Sequence, residues 1–394
     1  MVCCPAGAIC HAPVTCGYAN AANCAGTGSS FLPVLHSPCR FLPENGLLFP
    51  TLAHAAEGNW KVAWSKVLTF TDPHPYTSAV LTADMQLFPT AKGDFQAELT
   101  QVVLDRLRMQ RFEENLPRVH RGAIRRERKV FTFLTADQPE VSNRGRVFSL
   151  GEICADDFEL QHVRTGGSYR LGAASLLPED FAASCKAIVG CELDADPSSR
   201  FIRPPSKAIE RFLTLHEMIG GIAKTMPELF EVSEVVRSLE QQLIHALIRC
   251  VTEGVVSPVS SGKARHQVIV ARFEEFLEAN PNSPLYLAEV CAAVGATERT
   301  LRAACEEHVG MGPIRYLTLR RMHLVRRALA RAVPSAATVT QIATDHGFWE
   351  LGRFSVAYRT MFGENPAQTL KRPVDDCRGL PMIHRRFGPT EFRT

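Results

Sequence analysis

The chain has 394 residues, of which 45% are hydrophobic and 22% charged, and its formal net charge is +3. This composition is typical of a soluble globular protein of two or three domains, and it excludes a collagen, a coiled-coil rod and a largely disordered chain. A charge so near neutrality disfavours a nucleoid-like architectural protein, because sequence-independent DNA binding needs many phosphate contacts.

The first 60 residues are predicted to be a poorly ordered leader rich in Cys, Gly and Ala. Six of the thirteen Cys of the chain lie before residue 40, but none of them forms the C-x-x-C pair that is typical of structural zinc sites. A metal or redox sensor built on these Cys is the alternative interpretation. We expect no metal and no other cofactor. We also expect a cytoplasmic protein, because no apolar stretch of about 18 residues occurs and no Lys or Arg precedes Arg40.

Residues 61–205 are predicted to form a β-rich domain. Short apolar segments such as RKVFTFLTA and YRLGAASL recur from Phe95 onward and are separated by Gly and Asn turns, a pattern that favours a sandwich or a barrel. His120 and His162 lie in this region without the clustered His and Glu of a cupin metal site. We therefore interpret both as ordinary, partly buried histidines.

Two helices are predicted within 206–254, namely 206–221 and 231–254. The second carries Val235, Leu239, Leu243 and Leu247 on one face. That face docks either on the β-rich domain of the same chain or on a second copy, and we favour the second copy, which predicts a homodimer. Residues 255–265 are predicted to be a linker.

An internal repeat follows, in which each copy has the pattern helix, glycine turn, helix and Gly-x-x-Pro. The copies are 287–313 and 339–366. Gly295 and Gly347 stand where a left-handed backbone is required, and Thr297 and Thr338 are suited to cap helices. Leu301 and Phe354 are the matching apolar anchors. This is the pattern of two helix-turn-helix motifs.

The segment Pro313–Arg331 between the copies is predicted to be one basic helix, and no Asp or Glu occurs from Gly310 to Thr344. Nineteen residues at 1.5 Å each span about 28 Å, near the roughly 34 Å between successive major grooves on one face of DNA. One helix could therefore hold both motifs over adjacent turns of one duplex. Its basic residues are Arg315, Arg320, Arg321, Arg326, Arg327 and Arg331.

Residues 266–372 resemble the AraC/XylS family of transcriptional regulators. The residues that carry the resemblance are LAEVCAAVGATERTLR, YLTLRRMHLVRRAL and QIATDHGFWELGRFSVAYRTMFGENP. The resemblance implies an α+β protein: an N-terminal β-rich, cupin-like effector domain with dimerisation helices, followed by a C-terminal all-α domain with two helix-turn-helix motifs, here 266–372. A basic tail, 373–394, completes the chain.

The resemblance also places the base-reading positions. In the first motif they are Arg299, Arg302 and Ala303, and in the second Gly352, Arg353, Ser355 and Val356. Thr297, Thr300 and Arg359 are expected to contact DNA as well, and Lys371 and Arg372 to approach phosphates. Many members have Arg where this chain has Ala303 and Val356, so the target sequence does not follow from the resemblance. Phe348 and Trp349 are expected to be packing residues.

The predicted function is that of a sequence-specific DNA-binding transcriptional activator that responds to an unknown small molecule. Its expected partners are double-stranded DNA at two adjacent major grooves, RNA polymerase and a second copy of the chain. We expect no catalytic residues, since no Ser/His/Asp or glycine-rich phosphate signature occurs. A DNA-repair methyltransferase of the Ada type is the alternative, although the paired Cys spacing of its zinc site is missing.

Overall fold

The computed structural model describes residues 63–125, 127–156, 160–190, 200–257, 261–280 and 285–371. The predicted leader and the predicted basic tail lie outside the described residues. The described residues belong to one compact unit, Ala53–Thr394. Among the helices of these ranges, none has the length and apolarity to cross a membrane.

Two antiparallel sheets form the N-terminal part. The larger sheet has the strand order β1 (Trp64–Phe70), β3 (Ala97–Val103), β4 (Arg108–Glu114), β11 (Tyr169–Leu176), β6 (Lys129–Leu134), β9 (Ile153–Asp156), β12 (Arg200–Arg203) and β13 (Val255–Ser257). The smaller sheet has the order β2 (Ala83–Pro89), β5 (Arg118–Ile124), β10 (Leu160–Thr165), β7 (Val141–Asn143) and β8 (Arg146–Phe148). Two helices, α1 (Pro73–Ala79) and α2 (Pro178–Val189), accompany the sheets. The apolar segments that predict the β-rich domain begin at Phe95. Strands β1 and β2 lie within the predicted range 61–205 but before these segments, and the helices α1 and α2 are not predicted.

Strand β11 shows that the larger sheet packs against other elements on both of its faces. Its side chains alternate, so that Leu171 and Ala173 face the smaller sheet while Ala174 faces outward. Gly172 lies opposite Phe133 in the β11–β6 register. A methyl group at Gly172 would lie 2.3 Å from the Phe133 ring, so only glycine lets this ring cover the strand.

Helices α3 (Ser206–Thr225) and α4 (Ser233–Glu253) cover the outer face of the larger sheet. Leu243 and Leu247 are fully buried in one core cluster with Phe131 and Phe133 of β6. The apolar stripe of α4 therefore packs within its own chain. The prediction that this stripe forms a dimer interface is wrong, because the sequence pattern identifies an apolar face but not the surface that covers it.

The predicted linker 255–265 also differs from the structure. Residues 255–257 form β13, which pairs with β12 from Phe201 to Arg203, and the next helix, α5 (Ser261–Ala279), begins at Ser261. The connection between the two parts of the chain is thus anchored to the sheet on one side and continues as a helix on the other.

The C-terminal part is all-α. It contains α5, α6 (Leu287–Val294), α7 (Glu298–His308), α8 (Pro313–Arg331), α9 (Val339–Asp345), α10 (Leu351–Phe362) and α11 (Pro366–Lys371). Phe88 of β2 and Val119 of β5 join the apolar cluster of its first helices. The α-helical part therefore packs on the outer face of the smaller sheet. The predicted fold class, an N-terminal β-rich part and a C-terminal all-α part with two helix-turn-helix motifs, is confirmed.

Candidate DNA-binding surface

The two turns have the predicted local geometry. Gly295 and Gly347 adopt left-handed backbone conformations with φ of 69° and 81°, which a residue without Cβ takes at no steric cost. The Thr297 hydroxyl accepts a hydrogen bond from the Thr300 amide over 3.2 Å, and that of Thr338 accepts one from the Gln341 amide over 3.2 Å. These contacts start the second helix of the first motif, α7, and the first helix of the second motif, α9.

Helix α8 is part of both motif cores. Tyr316, Leu317 and Leu319 in its first half pack with α5, α6 and α7. Met322, Val325 and Leu329 in its second half pack with α9, α10 and α11. The half-buried Met361 contacts both clusters. One helix therefore fixes the separation and the relative rotation of α7 and α10.

Helix α7 presents three of its predicted readers to solvent. Arg299, Arg302 and Ala303 are exposed. Arg302 forms an ion pair with Glu298 one turn earlier, over 2.9 Å. The cap residue Thr297 is also exposed, whereas Thr300 is half-buried and its hydroxyl lies 2.8 Å from that of Thr297. The hydroxyl of Thr300 is thus engaged in the helix start.

Helix α10 repeats this arrangement with a more apolar surface. Gly352, Arg353, Val356 and Arg359 are exposed, and 68% of the Val356 surface is accessible. Arg353 forms an ion pair with Glu350 over 2.7 Å.

The remaining predicted reader of α10, Ser355, is half-buried. Its hydroxyl donates to the Leu351 carbonyl over 2.9 Å, so it is bonded within the helix.

The arginines of α8 do not form one basic face. Arg315 and Arg331 are exposed, but Arg320 is buried with its Nη1 3.7 Å from the carboxylate of Glu274. Arg326 lies 3.6 Å from Glu364. The predicted basic helix is present, but acidic residues distant in the sequence pair with Arg320 and Arg326, so its arginines are not all exposed.

Phe348 and Trp349 follow the glycine turn of the second motif. The ring of Phe348 packs 4.9 Å from that of Phe354, and its predicted packing role is confirmed. Trp349 is 67% exposed, so its predicted packing role is wrong. The sequence does not distinguish these two residues, because both are aromatic and adjacent. Their side chains point in different directions, and only the tertiary structure shows this.

The two sheets enclose a cavity of about 60 Å³. Its walls are mostly apolar, but one end carries a buried network: Arg118 Nε donates to Glu114 over 2.7 Å, and the Tyr76 hydroxyl donates to the same carboxylate over 2.8 Å. Although burial alone lowers the pKa of Arg118, Glu114 raises it above its ordinary value. The cation at this end is thus already neutralised. The apolar wall residues include Met85, Phe112, Phe148, Val163, Leu171 and Ala173.

His120 lines this cavity, and His162 lies on the neighbouring strand. Both are buried, more completely than predicted. Burial, and then the positive charge of Arg118, holds the pKa of His120 well below its ordinary value, so this ring is neutral. Across the described ranges no group of three or more His, Cys, Asp or Glu is arranged to hold a metal ion.

Residues 290–372 match the family model described as a helix-turn-helix domain. The XylDLEGF operon transcriptional activator 2 of Pseudomonas putida is 33% identical over 106 residues, which cover 27% of this chain and 68% of that protein. A probable thc operon regulatory protein of Rhodococcus erythropolis is 37% identical over 103 residues, which cover 26% of this chain and 31% of that protein.

Among solved structures, a probable AraC family transcriptional regulator of Rhodopseudomonas palustris is 32% identical, covers 26% of this chain and 95% of that chain, and superposes with a TM-score of 0.24. The similarity to the Rhodococcus protein thus spans about a third of its length, and to the Pseudomonas protein about two thirds. Because the match to the Pseudomonas activator has 33% identity and covers 68% of that protein, the chain belongs to the AraC/XylS family of DNA-binding transcriptional regulators.

Proposed function

We propose that the chain is a sequence-specific transcriptional activator that places α7 and α10 in two successive major grooves of one DNA duplex. The observation that carries this proposal is the shared core of α8, which contributes Tyr316 to one motif and Val325 to the other. At 1.5 Å per residue the 19 residues of α8 are about 28 Å long. That length suits grooves roughly 34 Å apart.

The exposed side chains assign different kinds of recognition to the two helices. Arg299 and Arg302 of α7 and Arg353 of α10 are donors suited to guanine, which presents two acceptors in the major groove. Ala303 and Val356 are exposed and apolar, and such side chains suit the methyl group of thymine. Thr297, Arg359 and Lys371 are better suited to phosphates, which position the protein without reading bases.

A small-molecule effector in the cavity between the sheets is a further part of the proposal. The cavity combines apolar walls with a few polar groups, as ligand sites do. Its volume of about 60 Å³ is below the roughly 300–1,000 Å³ of typical ligand sites, so the two sheets must move apart to admit an effector. The activator assignment draws on the similarity to the Pseudomonas relative, which is a transcriptional activator of an operon. We further propose that the protein acts in the cytoplasm, with RNA polymerase and as a homodimer. Its dimer surface must differ from the α4 stripe, because Leu243 and Leu247 are buried within the chain.

In vitro selection from random duplexes with the full chain, followed by footprinting on the selected sequence, tests the DNA part. We expect two protected major-groove segments about 10 base pairs apart on one face of the duplex. Selection that yields no sequence preference, or a footprint over a single groove, would contradict the proposal. A reporter placed downstream of the selected site then distinguishes activation from repression.

A further inference from the structure

Strand β5 of the smaller sheet has two faces with different neighbours. His120 and Gly122 line the cavity. Val119 belongs to the apolar cluster of the first helix-turn-helix motif, and the guanidinium of Arg121 approaches two acidic residues of α5. Because side chains alternate along a strand, one strand is in contact with both the cavity and the DNA-binding region.

Strand β10 repeats this division. Gln161 and Val163 line the cavity, whereas His162 faces α5. A methyl group at Gly310, which follows α7, would lie 2.1 Å from Arg164 Cδ, so Arg164 packs against this turn. The smaller sheet is therefore a single layer between the cavity and the helix that carries the first readers.

Glu274 of α5 is the point where these contacts meet. It is fully buried, and one of its oxygens accepts hydrogen bonds from His162 Nε2 over 3.1 Å and from the Tyr316 hydroxyl over 2.5 Å. Its other oxygen lies 3.4 Å from Arg121 Nε and 3.7 Å from Arg320 Nη1. Two of these partners belong to the sheet and two to α8.

The charge of Glu274 depends on those partners. Burial alone raises the pKa of this carboxyl, but Arg121, together with the hydrogen bond from His162 and with Arg320, holds it well below its ordinary value. A buried carboxylate that loses a partner keeps the desolvation penalty without the compensating attraction. Displacement of β5 or β10 therefore changes the energy of a group that also holds α8.

Helix α8 also contacts the smaller sheet directly. The rings of Phe88 and Tyr316 lie 6.4 Å apart, and His323 Nε2 donates to the Pro89 carbonyl over 3.0 Å. The helix that sets the geometry of both readers thus contacts β2 through both Tyr316 and His323.

We propose that Glu274 is a positioning residue that couples the smaller sheet to α8, so that a change in the cavity wall alters DNA affinity through its contacts with His162 and Arg121. This inference rests on the proposed DNA-binding function and names a means by which the cavity would regulate it. A displacement of β5 or β10 would shift Arg121 or His162, and Glu274 would pass this shift on to Tyr316 and Arg320 of α8. No contact between the cavity and DNA is needed.

A double-mutant cycle on the full chain tests the coupling without any effector. Gly122→Ala perturbs the sheet, since the new methyl group would lie 2.9 Å from both the Asp84 carbonyl oxygen and Met85 Cβ on β2. Glu274→Gln removes the charge at the proposed coupling point. Glu275→Gln is the matched control, because Glu275 is exposed on the same helix. The measured quantity is the Kd for the duplex selected in vitro.

We expect Gly122→Ala to change Kd by at least about fivefold in the wild-type and Glu275→Gln backgrounds, which is the lower range of allosteric couplings. In the Glu274→Gln background the same substitution is expected to change Kd less than about twofold. His162→Gln, which retains a donor, should preserve the coupling, and His162→Phe should abolish it. A merely structural role would lower stability in both His162 variants without this difference.

An equal effect of Gly122→Ala in the wild-type and Glu274→Gln backgrounds overturns the proposal, as does the absence of any effect in the wild type. If Gly122→Ala does not fold, Val163→Ala on β10 replaces it, because it changes the cavity wall beside His162 by loss of volume. Failure of the proposed function is recognised separately. In that case no duplex is selected at all, whereas here the selected duplex binds and only the coupling is missing.

Discussion

Arg302 of α7 and Glu298, one turn before it, form an ion pair over 2.9 Å on the exposed face of the first reader. Arg353 and Glu350 form a similar pair over 2.7 Å at the start of the second reader. Each pair joins an arginine suited to guanine to a carboxylate that DNA phosphates would repel. If these arginines read bases as proposed, binding to DNA exchanges an exposed ion pair, worth at most about 1 kcal/mol, for contacts with the groove.

Arg302→Ala is expected to weaken binding to the selected duplex by about 1–3 kcal/mol and to relax the preference at one base pair. Arg359→Ala, which removes an exposed arginine of α10 that we propose to contact phosphate, is the control and should weaken binding to all duplexes alike. The measurement is Kd on the selected duplex and on single-base-pair variants of it. Equal weakening by Arg302→Ala on selected and random DNA would show that Arg302 contacts only phosphate.

Glu298→Gln is expected to tighten DNA binding, because it releases Arg302 and removes a negative charge from the DNA-facing surface. The gain should shrink as salt is raised, since the interaction is screened. The free energy of unfolding should fall by about 0.3–1 kcal/mol, because a negative charge in the first turn of a helix interacts favourably with the helix dipole. Titrations at two salt concentrations and a thermal melt measure both effects. Weaker binding at low salt would contradict this role of Glu298.

Leu243→Glu is expected to unfold the N-terminal part rather than to separate a dimer, because Leu243 is fully buried against the larger sheet. Leu243→Ala should lower the free energy of unfolding by about 2–5 kcal/mol. Gln241→Glu on the exposed side of the same helix should change it little. Urea unfolding and light scattering distinguish the outcomes. A folded Leu243→Glu monomer would restore the dimer interpretation of the stripe.

Acidification is expected to lower stability through His323, which lies between α8 and the sheet. Burial lowers its pKa from 6.5 to about 4; the hydrogen bond to the Pro89 carbonyl opposes this shift, and Arg326 adds to it. Between these pH values the unfolded chain takes up a proton that the folded chain excludes. The free energy of unfolding therefore falls as pH is lowered through this window and is unaffected by His323 above it.

His323→Gln should make this pH dependence shallower without abolishing it, because the pKa values of the buried His120 and His216 are also lowered by burial. His245→Gln, on the exposed face of α4, is the control and should leave the slope unchanged. Urea unfolding at several pH values between 7.5 and 5 measures it. A slope identical to that of the wild type in His323→Gln would contradict the assignment.

The helix-turn-helix motifs were predictable because their determinants are local. Gly295 needs only its own backbone conformation, and Thr297 bonds a residue three positions away. The partners of Arg320 and Leu243 were not predictable. Glu274 lies 46 positions before Arg320 in the sequence, and the core cluster that contains Leu243 includes Phe131 and Phe133 of β6. Periodicity reports which side of a helix is apolar or basic, but only the tertiary fold determines what that side meets.

If α7 and α10 occupy successive grooves as proposed, the shared core of α8 also limits the DNA sites that the protein can accept. One extra base pair between two half-sites turns the second groove by about 34° around the duplex, at 10–10.5 base pairs per turn. Flexibly tethered modules would absorb that rotation in their connection. Here Tyr316 and Val325 are packed in the two motif cores, so the DNA must twist or one reader must leave its groove. The fixed length of α8 thus restricts the spacing between the two half-sites at a promoter.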